Sequence, residues 1–458
     1  MGNTTKAVLG FTFITALMVI VGQFQSWSLA LAIINMCLIS AVMALGVNIQ
    51  WGYAGLFNVG IMGFAALGGM AAVLVSAKPV TGAWKAGGMG ILLSIAALAL
   101  LVVVLSQVRR RLPEGLIRNF IFVILLVGGV FAIRAIYDPA VEAIESFDPA
   151  RTGFLGGLGA PILFSWFVGG CFAAAAAWFI GRIALGLRSD YLAIATLGIS
   201  EIVIAIVKNE DWLTRGVKNV SGLPRPVPYE INLQQSDWFI AWVERIHHAT
   251  LNAAGGDRAD VLKQLTIESS SIFIKLCYSG LFLSVLLLVL WLAHRAQKAP
   301  WGRMMRAIRD NEVAANAMGK DVTRRHLQVF VVGSAVVGIA GAMLTTLEGQ
   351  FTPGTYNPLR FTFLIWVMVI VGGSGNNLGA VLGAFLIWFF WIEAEPMGIW
   401  LMENATVFLG DGNPLREHLI NNAAHMRLML MGIILLLVLR FSPKGLLPER
   451  VRRPGSSS

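Results

Sequence analysis

Few side chains in this sequence are of a type that does chemistry within an apolar environment. Arg134, Glu201 and Lys275 stand inside long apolar runs, and Glu201 is the only carboxylate well inside one of them. Charged groups at membrane depth are costly, so they either pair within a helix bundle or serve a transport path. A carboxylate there can also relay protons. Glu201 is therefore a candidate for a transport role, and a structural ion pair is the alternative.

Residue patterns of common catalytic and metal sites do not occur. The sequence has no G-x-S-x-G and no HExxH motif. Its Gly319-Lys320 pair lacks the upstream glycine of a phosphate-binding loop. His247 and His248 are adjacent, which is not the spacing of metal ligands on a helix, and the three cysteines lie apart in apolar runs. We expect no catalytic residue, no metal site and no cofactor in this chain.

The composition indicates a protein that lives in a membrane. The chain has 458 residues, of which 57% are hydrophobic and 13% are charged, and its mean hydropathy is +0.72. Soluble domains carry about 25% charged residues. The formal net charge of +10 is typical of basic cytoplasmic loops, so nucleic acid is not expected as a partner. We predict an all-α polytopic membrane protein with roughly 10–12 transmembrane helices.

Hydropathy and basic clusters together predict the organisation of the chain. Spans are expected near residues 7–21, 27–47, 53–77, 88–107, 119–137, 161–181, 191–207, 272–294, 326–347, 361–372, 377–394 and 427–441. The basic loop 295–325 should be cytoplasmic, as should both termini. Residues 1–26 are predicted to form an N-terminal transmembrane anchor and residues 27–450 the main membrane domain. Within that domain 209–270 is an external loop, and 451–458 is a basic C-terminal tail.

Two segments predict short or broken helices in the core. Residues 361–394 span only about 51 Å as helix, whereas two crossings need about 60 Å, so a break is expected at 372–377. Residues 52–60 open a span with three glycines and a polar asparagine. Irregular backbone at membrane depth is tolerated where protein buries it or where it lines a cavity, and paired segments of this kind point to a transport path. The predicted path residues here are Asn58, Gly60, Gly373 and Gly375.

The loop 300–325 has the pattern of two short amphipathic helices. Pro300 suits a first helical turn, Asp310 or Asn311 can cap a second helix, and Gly319 can end it in a left-handed conformation. Met318 and neighbouring alanines form a small apolar face with no core of their own to bury. We expect a soluble partner to hold this loop. The alternative is a solvated loop whose cations reflect topology alone.

The run Arg306-Ala307-Ile308-Arg309-Asp310-Asn311-Glu312, continued by Ala315 and Met318-Gly319, resembles the ATPase-coupling loop of branched-chain amino acid ABC transporter permeases. Segments 52–69, 187–201 and 371–384 resemble that family in the same order. The likeness covers most of residues 30–450 and is strongest to the larger of the two permease subunits. It implies coupling residues Arg306, Arg309, Asp310, Glu312, Ala315 and Gly319, and it adds Thr196 and Glu201 to the predicted path.

The resemblance also implies an assembly. This chain would be a non-enzymatic permease subunit of an importer in the bacterial inner membrane, working with a second permease and a periplasmic substrate-binding protein. Two ABC ATPase subunits would hold ATP and magnesium. Residues 108–160 and Asn219 depart from the family pattern and bear on the substrate, expected to be leucine, isoleucine or valine. A urea or short-chain amide permease, an ion-coupled secondary transporter and a membrane-embedded enzyme are the alternatives.

Overall fold

A computed structural model describes residues 3–149, 152–253, 257–410 and 413–449. The predicted tail 451–458 lies outside the described residues. Within them, ten helices are long and apolar enough to cross a membrane, and two shorter apolar helices accompany them. The only strands there are the two-residue strands β1 (Val220–Ser221) and β2 (Gln350–Phe351), which pair antiparallel. The prediction of an all-α polytopic protein is therefore confirmed.

The apolar helices follow the predicted spans closely. They are α1 (Asn3–Phe24), α2 (Trp27–Val47), α3 (Ile61–Ser76), α5 (Met89–Arg111), α6 (Leu116–Glu145), α7 (Ile162–Ala184), α8 (Ser189–Asn209), α13 (Arg258–Lys298), α16 (Val322–Glu348), α17 (Pro358–Gly372), α18 (Asn377–Ala405) and α20 (Met426–Phe441). The connecting helices are α4 (Thr81–Ala83), α9 (Asp211–Thr214), α10 (Glu230–Gln234), α11 (Asp237–Ile246), α12 (His248–Ala253), α14 (Pro300–Asp310), α15 (Glu312–Ala317) and α19 (Pro414–Asn421).

Close contact between glycine-bearing helices builds the centre of the bundle. A Cβ added to Gly68 of α3 would lie 1.9 Å from the carbonyl oxygen of Gly338 in α16. A Cβ on Gly341 would lie 2.0 Å from the carbonyl oxygen of Ala65. Only residues without a side chain allow two backbones to approach this closely, as in small-residue packing of membrane helices. Gly60, Gly63 and Gly69 are crowded by neighbouring segments in the same way.

Both predicted breaks are confirmed. A π-helix at Asn48–Gly52 follows α2, and residues 55–60 have no regular structure before α3 begins. Helix α17 ends at Gly372 and α18 starts at Asn377, with Gly373 at φ +114° and Gly375 at φ +81° between them. With 15 residues, α17 is about 22 Å long and cannot cross about 30 Å of hydrocarbon unaided.

Two helices extend furthest beyond the predicted spans. Helix α13 begins at Arg258, well before the predicted start at residue 272, and α18 continues to Ala405, past the predicted end at 394. The added residues at the start of α13, about four helical turns, include Arg258 and Asp260, so a search for apolar runs does not count them. The described residues of the segment predicted to be external fold mainly as short helices, and α10, α11 and α12 pack on α13. This segment extends the membrane helices rather than forming a separate domain.

The hairpin α5–α6 lies at the edge of the bundle. Ile91, Ser94, Ala140 and Ile144 are its buried residues among those described, so most of its apolar surface is left for lipid. Its outer end is joined to the external segment by a small polar cluster. The Tyr137 hydroxyl donates to a Glu210 carboxylate oxygen at 2.5 Å, and the indole nitrogen of Trp212 donates to the same oxygen at 2.7 Å.

Candidate functional site

Helix α14 is fixed to the body of its own subunit. Gly302, Met305 and Ile308 are its buried residues, and Met305 and Ile308 are 0% and 1% exposed. A Cβ on Gly302 would lie 2.4 Å from the carbonyl oxygen of Ala296, so α14 turns back tightly against the end of α13. The indole nitrogen of Trp301 donates to Gln328 of α16 at 3.3 Å. Helix α14 is therefore in direct contact with both α13 and α16.

Helix α15 has the opposite environment, because none of its residues is buried. Asn311 caps it by accepting a hydrogen bond from the backbone N–H of Ala314 at 2.9 Å. Val313 and Met318 are 80% and 79% exposed, and Gly319 ends the segment at φ +76°. The prediction of two short helices is confirmed, with Asn311 rather than Asp310 as the cap. An apolar face that nothing in the described chain covers is typical of a contact surface.

A salt-bridge cluster ties α14 to the end of the chain. Arg309 forms a 2.9 Å ion pair with Glu449 and also donates to the carbonyl oxygen of Gly52. Arg306 approaches the same carboxylate at 3.7 Å. The side chain of Glu449 is 14% exposed, which strengthens its pairing relative to a surface ion pair. Asp310, by contrast, is exposed and pairs with the neighbouring Arg309 at 3.2 Å.

The glycine turn between α17 and α18 lies against this cluster. A Cβ on Gly375 would lie 2.8 Å from the Glu449 carboxylate, and a Cβ on Gly373 would lie 2.4 Å from the carbonyl oxygen of Leu447. The side-chain amide of Gln297 donates to the carbonyl oxygen of Gly375 at 2.8 Å. Gly373 and Gly375 were predicted as path residues. The structure places them beside Glu449 and the predicted coupling residues Arg306 and Arg309 instead of beside Asn58 and Thr196.

Asn58, Gly60 and Thr196 do meet, at the junction of α3 and α8. The hydroxyl of Thr196 accepts from the backbone N–H of Val59 at 3.1 Å, and the Asn58 side-chain oxygen accepts from the N–H of Gly60 at 2.8 Å. A Cβ on Gly60 would lie 2.4 Å from the carbonyl oxygen of Thr196. The irregular segment is therefore held in place by side-chain groups that satisfy its backbone, as membrane-depth loops require.

Glu201 lies on the face of α8 that the subunit leaves open. Its neighbour Ser200 is buried and accepts from the N–H of Gly63 at 2.8 Å, whereas Glu201 itself is exposed. Tyr191, Gly198 and Ala205 are exposed on the same helix, at helical spacing from Glu201. No described residue forms an ion pair with Glu201. An ionised carboxylate on a membrane helix is unfavourable against lipid, so this face requires water or another protein.

The other two predicted intramembrane charges have local partners. Lys275 donates to the hydroxyl oxygen of Ser28 at 2.5 Å, and Arg134 pairs with Asp138 one helical turn away at 3.1 Å. The prediction that Glu201 is the only carboxylate well inside an apolar run needs correction. Helix α18 continues past its predicted end, so Glu393 lies within the helix, where it is 3% exposed. It accepts from the side-chain amide of Gln25 at 2.8 Å. Glu201 is therefore not the only carboxylate inside an apolar helix.

The sequence analysis missed a buried polar network at the base of α2. The amide of Asn48 donates to the side-chain oxygen of Asn377 at 3.0 Å, and the Tyr53 hydroxyl donates to that oxygen at 2.6 Å. The side-chain oxygen of Asn48 accepts from the N–H of Gly375 at 2.8 Å. The side chain of Gln50 accepts a hydrogen bond from the amide of Asn58 and donates one to the hydroxyl of Ser334. The signal available in the sequence was the pair of polar residues, Asn48 and Gln50, at the end of an otherwise apolar run.

Comparisons with known proteins agree with this arrangement. Residues 140–439 match the family described as "Branched-chain amino acid transport system / permease component". The chain is 26% identical over 281 residues to the high-affinity branched-chain amino acid transport system permease protein LivM of Escherichia coli (strain K12), covering 61% of this chain and 56% of that protein. It is 25% identical over 264 residues to a probable branched-chain amino acid transport permease protein LivM of Methanocaldococcus jannaschii, covering 58% and 61%.

Shorter similarity extends to sugar transport systems. The xylose transport system permease protein XylH of Escherichia coli (strain K12) is 33% identical over 117 residues, which is 24% of this chain and 30% of that protein. No solved structure matches the chain. The matches to the LivM proteins span little more than half of their length. Because the family match covers well over half of the residues, this chain belongs to the branched-chain amino acid transport system permease family.

Proposed function

We propose that this chain is a permease subunit of an ATP-driven importer for branched-chain amino acids in the bacterial inner membrane. The single observation that supports this most is the contrast within the loop 300–319: α14 buries three residues against the subunit, whereas α15 buries none. Such a pair can receive force from a soluble ATPase and pass it to the membrane helices. A secondary transporter has no need of this device.

The partners follow from the surfaces that the chain leaves open. Helix α15 would dock on one of two ABC ATPases, which supply ATP and magnesium, while Asp310 and Glu312 lie exposed near its start. The open face of α8 with Glu201 would be completed by a second permease, so that the path runs between the two subunits. A periplasmic binding protein would deliver the substrate at the end bearing the external segment.

One observation supports a common cytoplasmic side for the coupling loop and both termini. Thr4 near the N-terminus, Lys298, Arg306 and Glu449 line one cleft, so all three segments meet at the same end of the bundle. Because successive spans run in alternating directions, the basic turns after α5 and α7 lie at that end too. A concentration of lysine and arginine at one end is typical of the cytoplasmic side.

Substrate class is inferred from the chemistry of the path. Gly60, Gly63, Ile199 and Val203 lie along the α3–α8 junction, and Glu201 is the ionisable residue of the open α8 face. Weak apolar contacts suffice for an aliphatic amino acid whose specificity is decided by a binding protein. Urea has no apolar surface to bury and would need amide-type partners along the path.

The test is transport by the reconstituted complex. The permease pair, the ATPases and the binding protein are placed in proteoliposomes, and uptake of leucine, isoleucine and valine is followed with and without ATP. We expect ATP-dependent uptake that a non-hydrolysable ATP analogue blocks. Uptake driven by an ion gradient without ATP would overturn the coupling proposal. Uptake of urea, with the three amino acids neither carried nor competing, would overturn the substrate.

Glu201 is tested in the same assay. Glu201→Gln keeps the size and removes the charge, and we expect uptake to fall about tenfold while the ATPases are still stimulated. Asp190→Asn at the start of α8 is the matched control. Wild-type uptake by Glu201→Gln would assign this carboxylate a structural role only.

A further inference from the structure

A deep cleft lies between α1 and α13, away from the open face of α8. Its volume is about 1580 Å³, and its lining comes from α1, α13, Arg306 of α14, the turn before α18 and the chain near residue 449. Drug-sized pockets usually hold about 300–1,000 Å³. The cleft is therefore large enough for a long, flexible molecule.

The walls of the cleft are apolar along most of its length. Val8 and Ile20 of α1 are 61% and 50% exposed, and Leu287 and Trp291 of α13 are 55% and 54% exposed. From Thr4 to Ile20 the α1 wall is about 24 Å long at 1.5 Å per residue. That is most of the thickness of the hydrocarbon layer, about 30 Å. An occupant with an extended apolar part would bury this surface.

One end of the cleft is polar and cationic. Lys298, Arg306, Gln297 and Asn376 line it together with Glu449. Glu449 is already engaged by Arg306 and Arg309, whereas the Lys298 ammonium has no ion pair with any described residue. Among the charged residues that line this end, the two cations Lys298 and Arg306 outnumber the one carboxylate of Glu449, so this end attracts an anion. Lysine and arginine both donate strong charge-assisted hydrogen bonds to phosphate oxygens.

We propose that this cleft binds an anionic phospholipid. Its phosphate is held by Lys298 and Arg306, and its acyl chains lie along α1 and α13. Basic pockets between transmembrane helices on the cytoplasmic side recognise such headgroups. The assignment of this end to the cytoplasmic leaflet rests on the proposed function. Because Arg306 belongs to α14, the bound lipid bridges the N-terminal helix and the coupling loop.

Charge distribution favours a lipid over a protein helix as the occupant. A helix from another subunit would need an acidic group at one end and an apolar face of about 24 Å, and it would separate α1 from the surrounding lipid. A phospholipid has both features in one molecule and is present at high concentration around α1. A partner helix in the cleft would instead give a cross-link to protein in the test below.

The test measures lipid retention by the full-length chain, so it does not depend on transport. The protein is purified from vesicles that contain equal amounts of phosphatidylglycerol and phosphatidylcholine, and the retained lipid is identified by native mass spectrometry. We expect wild type to retain phosphatidylglycerol preferentially. Lys298→Gln should lower that retention about fivefold, as expected for one cation near an anionic headgroup. Arg324→Gln, which removes an exposed charge outside the cleft, is the control and should change nothing.

A second variant tests the apolar part. Val8→Trp fills the wall of the cleft without altering charge, and we expect it to lower retention of both lipids, with thermal unfolding unchanged. Equal retention of the two lipids by wild type would overturn the headgroup assignment. A photoreactive group at position 8 that cross-links to the second permease, instead of to lipid, in the assembled complex would overturn the proposal as a whole. If wild type retains phosphatidylglycerol preferentially but its reconstituted complex imports no branched-chain amino acid, the proposed function alone is contradicted.

Discussion

Helices α14 and α15 are consecutive, separated by Asn311 alone, and yet they have opposite environments. Met305 and Ile308 of α14 are almost fully buried, whereas Val313 and Met318 at α15 are about four-fifths exposed. Both segments are basic or polar with apolar residues at helical spacing, so composition does not separate them. What separates them is whether the subunit supplies a surface for the apolar face.

The difference indicates a division of work within one loop. Helix α14 is anchored through buried side chains and through the Arg309–Glu449 ion pair, and this makes it a rigid extension of the membrane bundle. Helix α15 has no fully buried residue, and Val313 and Met318 point outward. A docking helix that was itself buried could not be reached, and a transmitting helix that was free could not move its neighbours. The following predictions test this division, from the largest expected effect to the smallest.

Ile308→Asp should have the largest effect, because it places a charge in the buried face of α14. Ile308 is 1% exposed, so the change removes apolar burial and adds an unpaired polar group, with an expected loss of more than about 3 kcal/mol of stability. We expect poor recovery from the membrane and no uptake. The control Ile308→Val should cost about 0.5–1.5 kcal/mol and keep uptake. Normal thermal unfolding of Ile308→Asp would contradict an anchored α14.

Val313→Asp tests the other half of the comparison. The side chain is 80% exposed, so thermal unfolding of the isolated subunit should be unchanged. Docking on the ATPase should weaken, because a charge enters the apolar contact surface, and uptake should fall at least about tenfold. Thr323→Asp, at an exposed position in the first turn of α16, is the matched control. If Val313→Asp transports normally, α15 is only a solvated connection.

Gly319→Pro tests how α15 is joined to the bundle. Gly319 has φ +76°, whereas proline is fixed near −65°, and its N–H donates to the carbonyl oxygen of Asn316 at 2.9 Å. Proline would remove that bond and force the exit from α15 into another direction. We expect ATP hydrolysis to continue without uptake. Gly319→Asn, which tolerates the left-handed region, should keep most uptake. Coupled transport by Gly319→Pro would show that this exit has no directional role.

The sequence predicted much of this loop, because its signals are local. A proline at the start of α14, a capping asparagine and a terminating glycine each act within one helical turn. The twelve spans and the two glycine breaks were predictable for a similar reason, since hydropathy and chain length are read along a continuous segment. Helices α13 and α18 were predicted too short, because the polar start of α13 and the aromatic-rich end of α18 lie outside any apolar window.

The contacts that give the loop its function could not be predicted, because they join distant parts of the chain. Asn48 and Asn377 are 329 positions apart in the chain, and Glu449 pairs with Arg309 across nearly a third of the chain. Sequence periodicity also identifies an apolar face without saying which surface covers it. That is why Met305 and Val313 could not be assigned to buried and open faces from the pattern alone.

Glu449→Gln should have an intermediate effect on coupling. The change keeps the shape of the side chain and its ability to accept a hydrogen bond, but it leaves Arg306 and Arg309 without their shared anion. Because the Glu449 side chain is 14% exposed, we expect a loss of about 1–2 kcal/mol and a several-fold drop in uptake per ATP hydrolysed. Glu417→Gln, at an exposed position on α19, is the control. An unchanged ratio of uptake to hydrolysis would mean that burial alone holds α14 in place.

Asn311→Ala should have the smallest effect, and it separates order in α15 from contact. The Asn311 side chain accepts from the N–H of Ala314 at 2.9 Å, and loss of such a cap costs about 1 kcal/mol. A six-residue helix has little stability of its own, since helices this short are marginal in water, so the cap matters more here than in a long helix. We expect the variant to bind the purified ATPase more weakly than wild type does. Uptake should fall several-fold at most, because contact with the ATPase restores the helix once α15 is bound. Asn311→Asp keeps the capping oxygen and should match wild type. If Asn311→Ala abolishes uptake as completely as Ile308→Asp, then α15 must be folded before docking, and the contrast between an anchored and an adaptable helix does not hold.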